Sequence, residues 1–573
     1  MELTRLLALL FTFVLPAFSA NSTFLNPILP GWHSDPSCVR VEETYFCITS
    51  TFIAFPGLPI YASTDLINWR LISHVWNRES QLPGMSWNTT GQMDGMYAAT
   101  LRYYDGEFWV ACEYLGIPGG LIGTIFRTTN PFEDDAWSDP LIFRPDEIDP
   151  DLFWDDDGTL WVATGGTVLQ SLDVTTGELS QPPLSIWNGT GGVYPEGPHL
   201  YKKDGWYYLL IAEGGTELGH TVTIARARSI TGPYQAYEGN PILTNRGTDE
   251  YFQTVGHADL FTDTNGNWWG VALATRSGPD WTHYPMGRET VLFAATWGEG
   301  EWPILQNVTG NNTGWELPPP NPNPPGKGPI NDAPDDYALK TAQEALPKHW
   351  MHWRVPRERT FTTTNEGLEV VPSRNNLTGI PLSTKDVYLT GERGLAFVGR
   401  RQSHTLFNFS IDLDFEPEEI GQEAGITVFL TQMNHIDISV VLAPTICKGG
   451  REKVVPHFRA NWMAATERAG RLNETDIGNL VPVPRGWTSP YTLHIQAESP
   501  YSYTLYASQG DGEKLEIDKA SSQFVSGGSG PFTGSLVGVF STCNGAGEGA
   551  NCPDGPIPRF QNWKYAPVAQ FFS

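Results

Sequence analysis

Positive charge is scarce in this chain. Its 573 residues carry 36 Lys and Arg against 64 Asp and Glu, a formal net charge of −28. A surface of that sign repels phosphate backbones and anionic headgroups, which excludes nucleic acid and anionic membrane as partners. Cysteine is scarce too. There are six, with no Cys-x-x-Cys pair, so the usual zinc-ligand spacings are missing and no metal site is expected from them. No glycine-rich phosphate loop joins a strand to a helix, and no serine or cysteine nucleophile motif occurs. Long apolar runs are also missing, so nothing reads as a membrane span. The longest stretch, Leu6 to Leu15, follows Arg5 and precedes Ala17-Phe18-Ser19-Ala20. That is the pattern of a signal peptide and predicts removal of residues 1–20 on secretion.

Aromatic residues are abundant, with 21 Trp, 21 Tyr and 28 Phe. Flat rings stack on the apolar faces of sugars and equally fill β-rich cores, so composition leaves both uses open. Eight N-x-Ser/Thr sequons, at Asn21, Asn88, Asn188, Asn307, Asn311, Asn376, Asn408 and Asn473, predict a glycosylated extracellular surface. Cys38 and Cys47 flank a hairpin, and Cys543 and Cys552 close a short loop. Each couple is expected to form a disulfide. Cys112, in the apolar stretch Trp109-Val110-Ala111-Cys112, reads as a buried free thiol; Cys447 has no assigned place.

Leu317-Pro318-Pro319-Pro320-Asn321-Pro322-Asn323-Pro324-Pro325-Gly326 is an extended, semi-rigid break. It divides the mature chain into 21–316, a linker at 317–336, and 337–573. Both halves read as all-β, because apolar runs are short and turn signals recur. In the first half, four hairpins share one form. A polar turn (Asp105-Gly106, Asp157-Gly158, Asp204-Gly205, Asn265-Gly266) leads into an aromatic-rich strand such as Trp206-Tyr207-Tyr208-Leu209. Glu43-Thr44 before Tyr45-Phe46-Cys47 is a fifth member without the glycine. Five units 47 to 62 residues apart predict a five-bladed β-propeller. The second half alternates in Ser410 to Phe415 and Tyr491 to Ile495, and runs apolar in Gly425 to Leu430 and Leu536 to Phe540. It reads as a β-sandwich of jelly-roll type.

Eight residues before the first turn residue of each hairpin stand Asp35, Tyr97, Asp149, Glu196 and His257. Equivalent hairpins would place all five around one mouth of the propeller axis. A ring of three acids and a histidine is costly unless it is solvated, metal-bound or catalytic. Proline adjoins each acid, in Ser34-Asp35-Pro36, Ile148-Asp149-Pro150 and Tyr194-Pro195-Glu196-Gly197-Pro198, and stiffens the backbone there. Hydrolysis of a glycosidic bond needs one protonated and one ionised carboxyl. A third acid nearby raises the pKa of the proton donor.

On these motifs the first half resembles glycoside hydrolase family 43. The resemblance spans Asn26 to Pro303 and includes Asn26-Pro27-Ile28-Leu29-Pro30-Gly31-Trp32-His33-Ser34-Asp35-Pro36-Ser37, Asp65-Leu66-Ile67-Asn68-Trp69, Gly256-His257-Ala258-Asp259 and Gly287-Arg288-Glu289-Thr290. It implies an inverting β-xylosidase or α-L-arabinofuranosidase acting on plant cell-wall polysaccharide, with no cofactor required. Asp35 would be the general base, Glu196 the general acid, and Asp149 the residue that tunes and orients Glu196. Arg288 would bind the sugar. His257 matches a central histidine sometimes associated with a bound cation, so calcium near His257 is an expectation of the resemblance; a core histidine is the plainer reading. Phe52, Phe55 and Tyr97 are candidate sugar-stacking aromatics or core residues. Tyr97-Ala98-Ala99-Thr100 stands where many relatives carry Trp followed by Ala-Pro, which alters one pocket wall. The trailing sandwich resembles that of exo-acting members.

Rival readings are weaker. A retaining invertase-type propeller would need Asn-Asp-Pro, Arg-Asp-Pro and Glu-Cys-Pro motifs, which differ from those present. A non-catalytic carbohydrate-binding propeller could shed its acids, yet all three remain. An endo-arabinanase of the same family would not need the second domain.

Overall fold

The computed structural model describes residues 22–87, 89, 91–117, 120–379, 394–446, 450–464, 478–547 and 551–573. The signal-peptide pattern, the sequons at Asn21, Asn88 and Asn473, and Cys447 lie outside the described residues. The first half is a five-bladed β-propeller, each blade a four-stranded antiparallel sheet of consecutive strands. From the axis outward, blade I holds Ser37–Val41, Thr44–Ile48, Gly57–Ser63 and Arg70–Trp76. Blades II to V start at the axis with Gly95–Tyr104, Asp151–Trp154, Glu196–Lys203 and Phe252–Thr262. The five expected hairpins join the first and second strands of each blade. Asp105 and Gly106 have φ of 49° and 81°, and Asp204 and Gly205 have 52° and 70°. Two successive positive φ values suit the right-handed twist of the strands, which is why Asp-Gly marks these turns.

The aromatic strands that follow the turns pack blade against blade. Phe46 meets Phe108 at 4.8 Å, Trp109 meets Trp154 at 5.1 Å, and Phe153 meets Tyr207 at 6.1 Å between ring centroids. Tyr208 meets Trp297 at 4.7 Å and Tyr45 meets Phe261 at 5.9 Å, which completes the circle. Each edge-to-face pair adds about 0.5–1.5 kcal/mol beyond the area it buries. Closure also uses the N-terminal segment. Asn26 exchanges hydrogen bonds with Leu292, Ile28 N–H donates to the Thr290 carbonyl, and His33 N–H to that of Arg288.

Polar closure sits on the axis itself. Arg102 of blade II pairs with Asp151 of blade III at 2.7 Å and Asp259 of blade V at 2.9 Å, and meets His199 Nδ1 of blade IV at 2.9 Å. Ser37 of blade I and Tyr201 of blade IV donate to the two oxygens of Asp259, each at 2.7 Å. Burial alone would raise the Asp259 carboxyl, but Arg102 and His199 hold it well below the usual range.

The second half is a β-sandwich that supplies, among the described residues, eight strands to one sheet and seven to the other. Its core is the set expected from alternation: Phe407, Phe409, Ile411 and Leu413 point inward from Leu406–Asp414, facing Ile426, Val428, Val537 and Val539. The proline-rich linker is no free spacer. Arg70 donates to the carbonyls of Pro324 and Gly328, and Leu71 N–H to that of Pro329, so the segment lies along the outer strand of blade I. Sandwich pairing begins inside the expected linker range, where Asp335–Tyr337 adds to Arg559–Ala569. One short strand of the first half joins a sandwich sheet. Ala54–Phe55 of the propeller pairs with Met351–Trp353 at the edge of a sandwich sheet.

Disulfides join Cys38 to Cys47 and Cys543 to Cys552, and Cys112 is a buried thiol. Asn188, Asn307, Asn311 and Asn408 are exposed; Asn376 is half-buried and its amide donates to Asn544. Arg102→Met is expected to cost about 3–5 kcal/mol, because it leaves Asp151 and Asp259 buried without their cation. Urea denaturation would measure it. A loss no larger than that of a surface ion pair, about 1 kcal/mol or less, would remove Arg102 from this role.

Candidate active site

The five inner strands aim five side chains at one mouth of the axis. Asp35 and Asp149 lie two residues before the inner strands of blades I and III. Tyr97, Glu196 and His257 sit where the pairing of blades II, IV and V slips in register. A bulge bends a strand and redirects a side chain, and here it turns these groups into the mouth. Asp35, Asp149 and His257 have φ of 53°, 59° and 50°. Left-handed backbone at a non-glycine residue costs about 1–3 kcal/mol and persists where surrounding structure imposes it.

The resulting cavity holds about 100 Å³ and is lined by Asp35, Phe52, Tyr97, Asp149, Glu196, His220, His257, Arg288 and Phe532 among others. Pockets for drug-sized ligands start at about 300 Å³, so this one takes a single sugar unit. A larger hollow of 790 Å³ lies beside the linker, and the three acids are not among its lining residues.

Environment separates the three acids. Asp35 accepts from Ser50 Oγ at 2.7 Å and from Arg288 Nη1 at 3.4 Å, with His257 Nδ1 at 3.8 Å. Burial would raise its carboxyl, yet Arg288, His257 and Ser50 together hold it below the ordinary carboxylate value. Glu196 has no such cation of its own. Burial first, then the charges of Asp149 and Asp35, push it up to about 8. Asp149 Oδ2 accepts from Gly197 N–H at 2.9 Å, and its carboxyl is raised, chiefly by burial. At neutral pH the site therefore presents one ionised carboxylate and one protonated carboxylic acid across the cavity.

The signature motifs resolve into separate tasks. Gly197 has φ of 54° and a Cβ there would stand 2.9 Å from His257 Nδ1, so only glycine lets the chain beside Glu196 pass the histidine ring. Gly287, at φ 67°, would meet the Thr533 carbonyl at 2.3 Å with any side chain. Next to it, Arg288 enters the pocket, Glu289 is sealed in a pair with Arg276 at 2.6 Å, and Thr290 Oγ1 donates to the His33 carbonyl at 2.8 Å. Asp65 only closes its own turn, accepting from Ile67 and Asn68 N–H, and Asn321 of the linker docks on it.

Of the proposed aromatics, Phe52 and Tyr97 line the pocket, 4.8 Å apart. Phe55 does not. It packs on Trp76 at 5.1 Å and its backbone carries the join to the sandwich sheet. The segment around Phe55 is thus a domain contact, outside the pocket lining. Calcium near His257 gains no support: among the described residues no group of three or more His, Cys, Asp or Glu could hold a metal ion. His257 Nδ1 stands 3.8 Å from Asp35, and its ring lies edge-on to that of His199 at 6.2 Å.

Three pocket residues carried no sequence signal. His220, buried and pushed down to about 4 by that burial, gives Nδ1 to the Thr254 carbonyl. Thr216 Oγ1 accepts from Arg288 Nη1 at 3.0 Å. Phe532 comes from the sandwich. Its carbonyl accepts from Arg288 Nε at 3.0 Å and Nη2 at 2.9 Å, and its ring stacks on Phe52 at 6.1 Å. Nothing local in sequence announces a residue 244 positions from its partner.

The family model for glycosyl hydrolases family 43 matches residues 24–303, and that for the β-xylosidase C-terminal concanavalin A-like domain matches 341–552. The chain belongs to glycosyl hydrolases family 43. It is a glycoside hydrolase. Family relatives align along nearly its whole length. "Xylosidase/arabinosidase 43B" of Humicola insolens is 31% identical over 546 residues, 90% of this chain and 93% of that protein. "Non-reducing end alpha-L-arabinofuranosidase BoGH43B" of Bacteroides ovatus is 31% identical over 539 residues, 92% of each. The solved structure titled "Bacteroides ovatus Xyloglucan PUL GH43B" superimposes with a TM-score of 0.78 at 29% identity, covering 96% of this chain and all of that one.

Phe532→Ala removes the sandwich's share of the pocket wall while leaving the carbonyl that grips Arg288. A raised KM and a roughly tenfold lower kcat/KM are expected, on the scale of one lost aromatic contact. Steady-state kinetics on a chromogenic glycoside would show it; an unchanged KM would mean the ring does not touch substrate.

Proposed function

We propose that this family 43 enzyme is secreted and releases terminal pentose, β-D-xylose or α-L-arabinofuranose, from xylan or arabinoxylan oligosaccharides of the plant cell wall by inversion. The observation that carries the reading is the opposite sorting of two carboxyls around a cavity of one-sugar size. Asp35, kept ionised by Arg288, His257 and Ser50, is the general base that takes a proton from water as it attacks the anomeric carbon. Glu196, kept protonated by burial and by two neighbouring charges, gives its proton to the departing oxygen. Asp149 sustains that proton, and Arg288 binds sugar hydroxyls while neutralising charge beside Asp35. Supporting the choice of sugar are the xylosidase and arabinofuranosidase activities of the relatives, and supporting exo action is the small cavity with Phe532 across it. Secretion rests on the leader pattern, the sequons and two disulfides.

The first experiment is hydrolysis of aryl β-D-xylopyranoside and α-L-arabinofuranoside, with Asp35→Ala and Glu196→Ala alongside. Both variants should lose about 10²–10⁴-fold, the usual range for removing an acid or base. Glu196→Ala should be hurt more on xylobiose than on an activated aryl glycoside, since a poor leaving group needs the proton more. Proton NMR of the first sugar released from a β-xyloside should show the α-anomer. The β-anomer would replace inversion by retention.

The pH profile of kcat/KM should be a bell. Asp35 must be ionised, so activity falls as pH drops through its value, below the ordinary carboxylate figure of about 4. Glu196 must be protonated, so activity falls as pH rises through about 8. An alkaline limb near the ordinary glutamate value, about 4.3, would overturn the assignment of Glu196.

A further inference from the structure

The segment that leads into the inner strand of blade IV is pinned along its backbone, yet it leaves its largest side chains in solvent. Glu213, 1% exposed, accepts from Thr190 N–H and Oγ1, from Gly192 N–H and from Thr223 Oγ1. Gly214 N–H donates to the Val193 carbonyl and Gly166 N–H to that of Pro195, each at 2.8 Å. The chain from Thr190 to Pro195 is therefore held from both sides. Tyr194 is nevertheless 67% exposed, the most exposed aromatic side chain among the described residues. Its φ of 51° is left-handed, a conformation that is rare for a bulky residue and that gathers at ligand sites. Strain is thus accepted at a ring that buries little of its own surface.

That ring stands at the rim of the catalytic cavity, two residues before Glu196. A Cβ on Gly215 would lie 3.8 Å from Tyr194 Cδ2 and 2.9 Å from Glu217 Oε2, so ring and carboxyl flank the same glycine. Thr216, between Gly215 and Glu217, lines the cavity and accepts from Arg288. The Glu217 carboxyl is half-buried, and its charge adds to the upward push on Glu196. Tyr194 itself lies outside the lining of the one-sugar cavity.

The direction of the reaction supplies the occupant. Glu196 protonates the departing oxygen, so the sugar that leaves with that oxygen sits on the Glu196 side, just beyond the cavity. A neutral pyranose carries C–H groups on its faces and hydroxyls at its edge. An exposed ring takes such a face, and a carboxylate beside it takes hydroxyls in charge-assisted bonds. Tyr194 and Glu217 offer that pair on a backbone already fixed, so binding there costs little further ordering.

We propose that Tyr194 is the stacking platform of a second sugar subsite, which holds the pyranose that departs with the oxygen protonated by Glu196. The inference deepens the function proposed above and rests on the role given there to Glu196. An open platform sets no limit on the length of chain beyond it.

Xylobiose places a sugar on the platform, whereas β-D-xylosyl fluoride leaves it empty. For Tyr194→Ala, the ratio of kcat/KM on xylobiose to that on the fluoride should fall about 3- to 10-fold, the scale of one aromatic contact. Tyr194→Phe, which keeps the ring, should hold the parent's ratio. Affinity reads the same step without turnover. In an Asp35→Ala background, calorimetry should show xylobiose bound at least about threefold more tightly than xylose, and adding Tyr194→Ala should abolish that gain. An unchanged ratio in Tyr194→Ala would overturn the proposal, and so would a Phe variant as impaired as Ala. If the parent cleaves no pentoside, the proposed function fails and the affinity comparison judges the subsite alone. An Asp35→Ala protein that gains nothing from the second sugar would then sink the subsite too.

Discussion

The guanidinium of Arg102 is where the propeller closes. Five blades can pack rim to rim through aromatic pairs, but the axis leaves polar strand ends facing one another with little water to serve them. Arg102 answers two buried carboxylates and a histidine from three other blades, and Ser37 brings in the remaining one. Aromatic contacts fix the distance between neighbouring blades. The ionic knot fixes where all five inner strands stand at once, and the mouth a few residues away inherits that register.

Catalytic character follows from what each strand end meets there. The three acids are chemically alike, Asp35 and Asp149 buried and Glu196 partly so, and burial alone would raise all three. Asp35 escapes because a guanidinium, an imidazole and a hydroxyl converge on it. Glu196 does not, because its neighbours are the other two carboxylates. The left-handed backbone at Asp35, Asp149 and His257 is the cost of aiming them inward from strands whose side chains would otherwise alternate past the axis. Proline beside the acids and glycine at 197 and 287 restrict the chain to that conformation or permit it.

Much of this could be read in the sequence because repetition makes position visible. The Asp-Gly and Asn-Gly turns set the blade count, and a fixed offset from those turns found Asp35, Tyr97, Asp149, Glu196 and His257 together. Alternation found the sandwich core at Phe407 to Leu413. What failed to show were features that depend on contact between distant segments. Phe55 reads as a candidate sugar-stacking aromatic, yet its neighbour is Trp76 and its strand partner belongs to the second domain. The linker's prolines signal extension but not the row of hydrogen bonds to Arg70 and Leu71. Phe532 and His220 have no repeat, no spacing and no flanking proline to mark them; only the folded chain places them at the pocket.

Phe532 also decides how the two halves should be regarded. Were the sandwich a tethered sugar-binding module, the pocket would be complete without it. Instead the sandwich supplies the carbonyl that receives two of the Arg288 N–H groups, and so sets where that guanidinium points toward Asp35 and Thr216. The docking that holds Phe532 in place is polar and buried. Arg401 donates to the Trp32 carbonyl, Arg276 reaches Gln570 and the Phe571 carbonyl, and Gly287 admits the Thr533 backbone where no side chain would fit. A disturbance at that interface would therefore reach Asp35 through Arg288 before it reached the propeller's own core. Asp35 owes part of its ionisation to a domain that carries none of the three acids.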